Sequence, residues 1–499
     1  MDEELLTFNG VNGATGQAFI PPLSVTKMAD CIFRQHLGLP AERQNRERNL
    51  YEKHDEGVLG VRHEFQGLEW DVAAVGWGVV YASDVPSEVK KEVEKLIAHR
   101  AAMKDSRGKK GREPRIYVCS KNQDADTFRQ SRGQDFGVVD PDKMPYYLMI
   151  VGSPAEISFD FQHDLDVEHA VGRLYFGDAQ GQYDVQWYRD YVDRVMAYEN
   201  AQKTDRERWA AFFSPAKDKL TVQNADKLAG PLAKKIEGLV FETSKKEKVQ
   251  YRTEWHRDTA TRAKLDELLT RSERKPALLF TASHGLFLDS AQPWHAEDMG
   301  AFLCQDWEGS DVWDGGKIPD TKYFSGRHID AGEGRFELGG LMVIGFACLS
   351  AGTPQTEALA QFHPELPAQL AEKPFVSYLP QRMLTRGTLA FVGHVGPAWS
   401  YSYAWPGVGF LTGNLEDVVR AILSGIPVGH ATDFFNRRYL NLHHLMTKPK
   451  GLLDKYRDER PVDRELVRHW TARNDARGYI VLGDPAVHLR PEVMPEAST

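Results

Sequence analysis

Two side chains stand where nucleophilic chemistry could be done. Residues 341–353 read LMVIGFACLSAGT, an apolar run that closes on Ala347-Cys348 and then on small residues that let a backbone turn tightly. A run so rich in Leu, Val, Ile and Phe predicts a strand buried on both faces, with Cys348 at its carboxyl end. Residues 277–282 (ALLFTA) form a second such run and stop at Ser283-His284-Gly285. Open α/β sheets keep their chemistry at the carboxyl ends of strands, so a His and a Cys are placed where it is expected. Cysteine attack on a carbonyl needs a thiolate, a proton donor for the leaving amine and fixed donors for the oxyanion. Cys348, His284 and the backbone N–H groups of Gly285 and Cys348 could supply all three, and a glycine beside the histidine leaves a substrate carbonyl free to approach the backbone. Taken singly, a cysteine in an apolar run is more often an inert core thiol.

Other candidates are weaker. His394 also follows a strand-like run, residues 388–392, and competes with His284 for the catalytic role. Asp484 in LGDPAV is better suited to hydrogen bonding a turn ahead of Pro485. His295, His443 and His444 lack partners at metal-ligand spacing. There is no Walker A loop, HExxH or GxSxG, and the glycines of residues 331–340 are too irregular for a dinucleotide fingerprint. Neither a cofactor nor a metal is expected.

Strand-His-Gly followed by strand-Ala-Cys resembles the caspase-like cysteine peptidases, the group of caspases, gingipains and bacterial CHAT proteases. YLMIVG (147–152), AVGRL (170–174) and YVDRVMAYE (191–199) resemble the gingipain subdomain that precedes the catalytic one, and GTLAFVGHVGPAW (387–399) and VLGDPAVHL (481–489) the strands that close the fold. The resemblance spans residues 146–490 in patches. It implies an α/β fold of two adjacent subdomains with mostly parallel sheets flanked by helices: residues 67–275 without catalytic residues and residues 276–499 with the His284–Cys348 dyad. The order of motifs, His before Cys, favours His284 over His394. It also implies a protein substrate. In Arg-cleaving gingipains an acidic pocket residue comes from the block that here reads FDFQHDLDVE (159–168), so Asp160, Asp164 and Asp166 are candidates for a pocket that takes a basic side chain. The alternative for that block is a solvated acidic loop. A bacterial defence or signalling pathway is one setting in which such an enzyme works. An idle caspase-like scaffold and a thiol-dependent acyltransferase or amidase share the pattern.

The elements that must position these groups are partly legible. Residues 70–82 predict a strand, 86–100 a helix with Val89, Val93, Leu96 and Arg100 on one face, and 186–200 a core-facing helix with Trp187, Tyr191, Val195 and Tyr188, Val192, Met196 as two ladders. Residues 116–119 and 146–152 predict further strands. Residues 201–275 turn charged and Lys-rich, with helical stretches near 224–239 and 259–269, and predict a bridge between the subdomains. Basic loops at 104–115 and 243–250 are candidate cleavage sites, which predicts a zymogen opened by an upstream protease. The insertion 291–337 carries Trp294, Trp307, Trp313 and Tyr323 as candidates to line a lid or pocket. Residues 1–66, including a charged segment at 41–56, are assigned no chemistry.

With 499 residues, 41% hydrophobic and 27% charged, the chain can hold more than one core. The formal net charge of −9 and the lack of a basic stripe argue against nucleic acid as partner. The acidic start, MDEELLTFNG, and the lack of a long apolar run predict a cytoplasmic protein without a membrane partner. Cys31, Cys119, Cys304 and Cys348 are too few and scattered for a disulfide framework, in keeping with that compartment.

Overall fold

A computed structural model describes residues 5–6, 8–39, 60–134, 137–178, 181–243, 246–288, 295–332, 334–357, 360, 369–399, 402–405 and 408–497. The charged segment 41–56 and Trp294 lie outside them.

The molecule is built on one ten-stranded sheet. Its strands are β1 (Trp77–Ala82), β2 (Arg115–Cys119), β3 (Tyr147–Val151), β4 (Ala170–Leu174), β5 (Arg206–Phe213), β6 (Arg252–His256), β7 (Lys275–Ala282), β8 (Met342–Phe346), β9 (Ala390–His394) and β10 (Tyr479–Gly483). They lie in the order β6-β5-β7-β8-β9-β10-β4-β3-β1-β2. Every neighbouring pair is parallel except β9–β10. The fold is mixed α/β, and the apolar runs that predict buried strands, β3, β7 and β8, are central and covered on both faces.

Helices α1 (Val25–Leu37), α2 (Ser87–Ala101), α3 (Phe159–Asp166), α4 (Val185–Asn200), α5 (Lys219–Gln223), α6 (Tyr378–Thr385), α7 (Asp433–Thr447) and α8 (Asp463–Gly478) flank it. The ladders expected for 186–200 are realised in α4, which buries Tyr188, Tyr191, Val192 and Val195 and is capped by Asp184 accepting from Trp187 N–H. On α2 the predicted face is buried, and Arg100 reaches from it to Glu199 of α4 and to Asp484 beyond β10. Asp484 also accepts from Ala486 N–H at 3.0 Å, in the turn beside Pro485. Among the described residues no helix is long and apolar enough to cross a membrane.

Three local expectations are corrected. Residues 70–82 are not one strand: Asp71 caps a short helix, Val72–Val75, and Gly76 at φ +82° turns the chain into β1. Residues 159–168 are not a solvated loop, because Ser158 accepts from Phe161 N–H and starts α3, Phe159–Asp166. Residues 201–275 hold the expected helices, at Gly230–Glu237 and Arg262–Thr270, but also β5 and β6, which pair beside β7. The sheet therefore runs on across residue 275, and β10, from near the end of the chain, pairs with β4 from the first half. The charged start of β5 hid it. Arg206 is buried there, its guanidinium donating to the carbonyls of Gly339, Pro276 and Glu337.

A second core lies against the carboxyl end of the sheet. In it Leu6, Phe8, Val11, Phe19 and α1 residues pack with Leu286, Trp307, Cys348, Trp399 and Trp470.

Candidate active site

Register brings His284 and Cys348 to one level. Ala282 of β7 pairs with Phe346 of β8, and each candidate stands two residues further along its strand. Gly285 packs so closely on Cys348 that a Cβ added to it would fall 1.8 Å from Cys348 O and 2.9 Å from Cys348 N. Beyond Cys348 the chain turns through Leu349 at φ 59°, a left-handed conformation that a leucine adopts only when its surroundings hold it there. Leu349 N–H donates to Gly396 O at 2.8 Å, and Ser377 Oγ donates to Leu349 O.

Asp218 is the partner that sequence reasoning missed. Its Oδ2 is 2.7 Å from His284 Nε2. Asp218 follows β5 and caps α5, where its Oδ1 accepts from Thr221 N–H at 2.9 Å and from Thr221 Oγ at 2.8 Å. Burial pushes this carboxyl up, but its interaction with His284 together with the Thr221 donors outweighs it and holds it well below the usual carboxylate range. Ser310 Oγ lies 3.4 Å from Oδ2. The signals that could have found it are WAAFF, an apolar strand end, and Asp-x-x-Thr, a capping box five residues later. The insertion contributes as well, since Trp307 stands edge-on to the His284 ring with centroids 5.7 Å apart.

The other face of the histidine meets the N-terminal segment. Gly10 N–H donates to His284 Nδ1 at 3.0 Å, so Nε2 carries the proton and donates it to Asp218. Cys348 Sγ accepts from Ala398 N–H at 3.0 Å. Burial pushes its thiol up to about 12, against the lowering pull of that N–H, so the sulfur is neutral. Among the described residues no hydrogen bond joins Sγ to His284. The N–H groups of Gly285 and Cys348 have no main-chain acceptor among them either.

The remaining expected residues sit elsewhere. Asp160 and Asp164, one turn apart on α3, both take Arg477 of α8, at 2.9 and 3.1 Å. Asp166 is buried and accepts from Val171 N–H at 2.8 Å; burial raises its carboxyl to about 8 despite that bond. A cleft of about 510 Å³ does open nearby, walled by Phe159, Asp160, His394, Trp399, Trp470 and Arg477, but neither His284 nor Cys348 lines it. His394 turns to α8, with Nε2 3.1 Å from Asp475 O. Of the aromatic residues in the insertion, Trp313 packs on Gly16 and Tyr323 OH donates to Asp298 at 2.8 Å.

No family model matches the chain, and no curated protein matches it. Among solved structures, one described as "Structure of Protease" aligns over 84% of this chain and 79% of its own, with 11% identity and a TM-score of 0.41. Two structures of the Saccharomyces cerevisiae separase–securin complex align over 68% of this chain and 15% and 16% of their own, with 8% and 9% identity and TM-scores of 0.29 and 0.30. Likenesses this distant assign no residue a role.

Proposed function

We propose that the chain is a cysteine endopeptidase in which Cys348 is the nucleophile, His284 the acid–base and Asp218 the residue that positions the histidine. The observation that carries this reading is the buried Asp218–His284 pair, level with a cysteine at the end of the adjacent parallel strand. In this arrangement Nδ1 of His284 takes the thiol proton as Sγ bonds to the scissile carbonyl carbon. The resulting oxyanion is held by the N–H groups of Gly285 and Cys348. The imidazolium, steadied by Asp218 through Nε2, then gives its Nδ1 proton to the amide nitrogen. The C–N bond breaks, the amine leaves and a thioester remains on Cys348. Water attacks that thioester as His284 takes its proton, the C–S bond breaks, the carboxylic acid product departs and the imidazolium returns its proton to the Cys348 sulfur.

The finer expectations stand differently. A preference for basic residues gains no support from Asp160 and Asp164, which clasp Arg477, or from Asp166. Activation by cutting remains part of the reading. The second basic segment, 243–250, is not all loop: Lys248–Gln250 is a strand paired with Val240–Glu242, and residues 244–245 lie outside those described. In the other loop, Asp105 accepts from the N–H groups of Arg107 and Lys109 and holds the turn closed.

One observation favours a second reading, an idle scaffold module: the Cys348 thiol is fully buried. Labelling with a peptidyl acyloxymethyl ketone, together with hydrolysis of a protein substrate, separates the two. Label on Cys348 that is lost in Cys348→Ala, with hydrolysis lost in parallel, supports the peptidase. Neither label nor hydrolysis under any activating treatment leaves the scaffold.

A further inference from the structure

The N-terminal segment runs straight across the dyad. Phe8 stacks edge-on against Trp399 with centroids 4.7 Å apart, and Asn9 forms an antiparallel bridge with Ala398, whose N–H holds the Cys348 sulfur. Asn9 Nδ2 donates to Ser283 O at 3.2 Å. Gly10 N–H occupies His284 Nδ1, and a Cβ on Gly10 would stand 3.1 Å from Cys348 Sγ. Val11 and Asn12 then pair as a parallel strand with Leu286 and Phe287. Gly10 lies at φ +141°, so only a glycine passes easily between the two reacting side chains.

We propose, on the peptidase reading above, that residues 8–12 lie in the groove that binds an extended substrate chain, and that this segment is an internal competitor which must leave before substrate can enter. The ligand class is a polypeptide in extended conformation, held on one side of the dyad by the backbone at Ala398 and on the other by the edge of Leu286–Phe287, with an apolar side chain against Trp399. Three features fit an occupant better than a mere strut. Gly10 N–H fills the lone pair that would take the thiol proton, its backbone lies so near Sγ that a Cβ on it would stand 3.1 Å away, and the strand pairing is the way sheet edges capture peptides. Leu5–Leu6 pairs with Leu23–Ser24, so both feet of the loop that carries the track stand beside the start of α1.

The test reads access to Cys348 directly. Carbamidomethylation of each cysteine by iodoacetamide is followed by peptide mass spectrometry in the full-length wild type, in Gly10→Val, whose branched side chain would collide with Sγ, and in Asn9→Asp, which turns a carboxylate on Ser283 O. Cys348 is expected to label at least 10-fold faster in both variants, with buried Cys119 and Cys304 unchanged as reporters of an intact fold. Peptide hydrolysis should rise in parallel, and a synthetic peptide of residues 5–13 should lower both again. Unchanged labelling of Cys348 in a folded variant, or a peptide that does not compete, overturns the inference. Should both variants unfold, hydrogen exchange on the wild type decides: an acyloxymethyl ketone bound at Cys348 must strip protection from residues 8–12, and undiminished protection overturns it. Faster labelling without hydrolysis would keep the occupant and end the peptidase reading. Wild-type hydrolysis that no displacement accelerates would do the reverse.

Discussion

Asp218 Oδ2 and His284 Nε2 are 2.7 Å apart and both buried, although 66 residues separate them in the chain. The pair fixes which nitrogen of the imidazole carries the proton. An aspartate there accepts from Nε2–H and leaves the Nδ1 lone pair to accept from Gly10 N–H.

Asp218→Asn tests that role cleanly, because asparagine caps a helix as well as aspartate does and so spares α5. Its amide can turn an N–H toward Nε2 and impose the other tautomer. We expect kcat for a peptide substrate to fall about 10²–10⁴-fold with KM nearly unchanged, as befits a group that orients the acid–base. A loss confined to KM would place Asp218 in substrate binding instead.

The same carboxyl makes stability depend on acid. Its pKa in the folded protein lies below the unfolded value of about 3.9, so it adds stability that is full above that value and fades as pH falls toward the folded pKa. The stability gap between wild type and Asp218→Asn should shrink as pH falls below about 4. Urea unfolding at stepped pH measures it. A gap that widens in acid would mean that the carboxylate is not what the folded state favours.

What the sequence revealed follows from what a linear pattern can carry. Cys348 and His284 end uninterrupted apolar runs, and the level of one against the other is a matter of register between two buried strands. Asp218 sits behind a strand that begins Arg-Glu-Arg, where local charge masked a buried guanidinium that three carbonyls satisfy. Nothing near Asp160 or Asp164 announces Arg477, which lies more than 300 residues away and donates to both. Likewise the pairing of Val11–Asn12 with Leu286–Phe287 is two residues long and has no periodicity to read.

Cys348→Ala and His284→Ala should each abolish peptide cleavage, and the double variant should be no worse than either, since groups that act as a unit do not lose activity additively. His394→Ala should keep the activity, because that ring is bound to α8 through Asp475. Cleavage by Cys348→Ala would end the assignment. Activity lost in His394→Ala but kept in His284→Ala would transfer the role.

Arg477 holds α8 to α3 through two carboxylates. Arg477→Met removes this clasp and should cost about 1–2 kcal/mol in urea unfolding, the lower part of the range for a charged hydrogen bond because Asp160 is largely exposed. Replacing both aspartates by asparagine should cost a similar amount and leave the ranking of Arg, Lys, Asp and Leu peptides unchanged. A collapse of Arg-peptide cleavage in that double variant would return these residues to a pocket.

Gly285 is the position where one added carbon separates packing from chemistry. The Cβ of an alanine there would fall 1.8 Å from Cys348 O and 2.7 Å from Cys348 C, and backbone atoms, unlike the tip of a flexible side chain, cannot step aside. The β7 and β8 ends must then part, which moves His284 and Cys348 away from each other and both oxyanion N–H groups off their target. We expect Gly285→Ala to lose about 1–3 kcal/mol of stability, the usual cost of overpacking. Peptide hydrolysis should fall about 10²–10³-fold or more, the cost of misplacing one oxyanion donor. The two effects are separable, since activity compared well below the unfolding midpoint reports only the folded population. A Gly285→Ala protein as stable and as active as the wild type would show that the two strand ends do not meet as closely as this geometry requires.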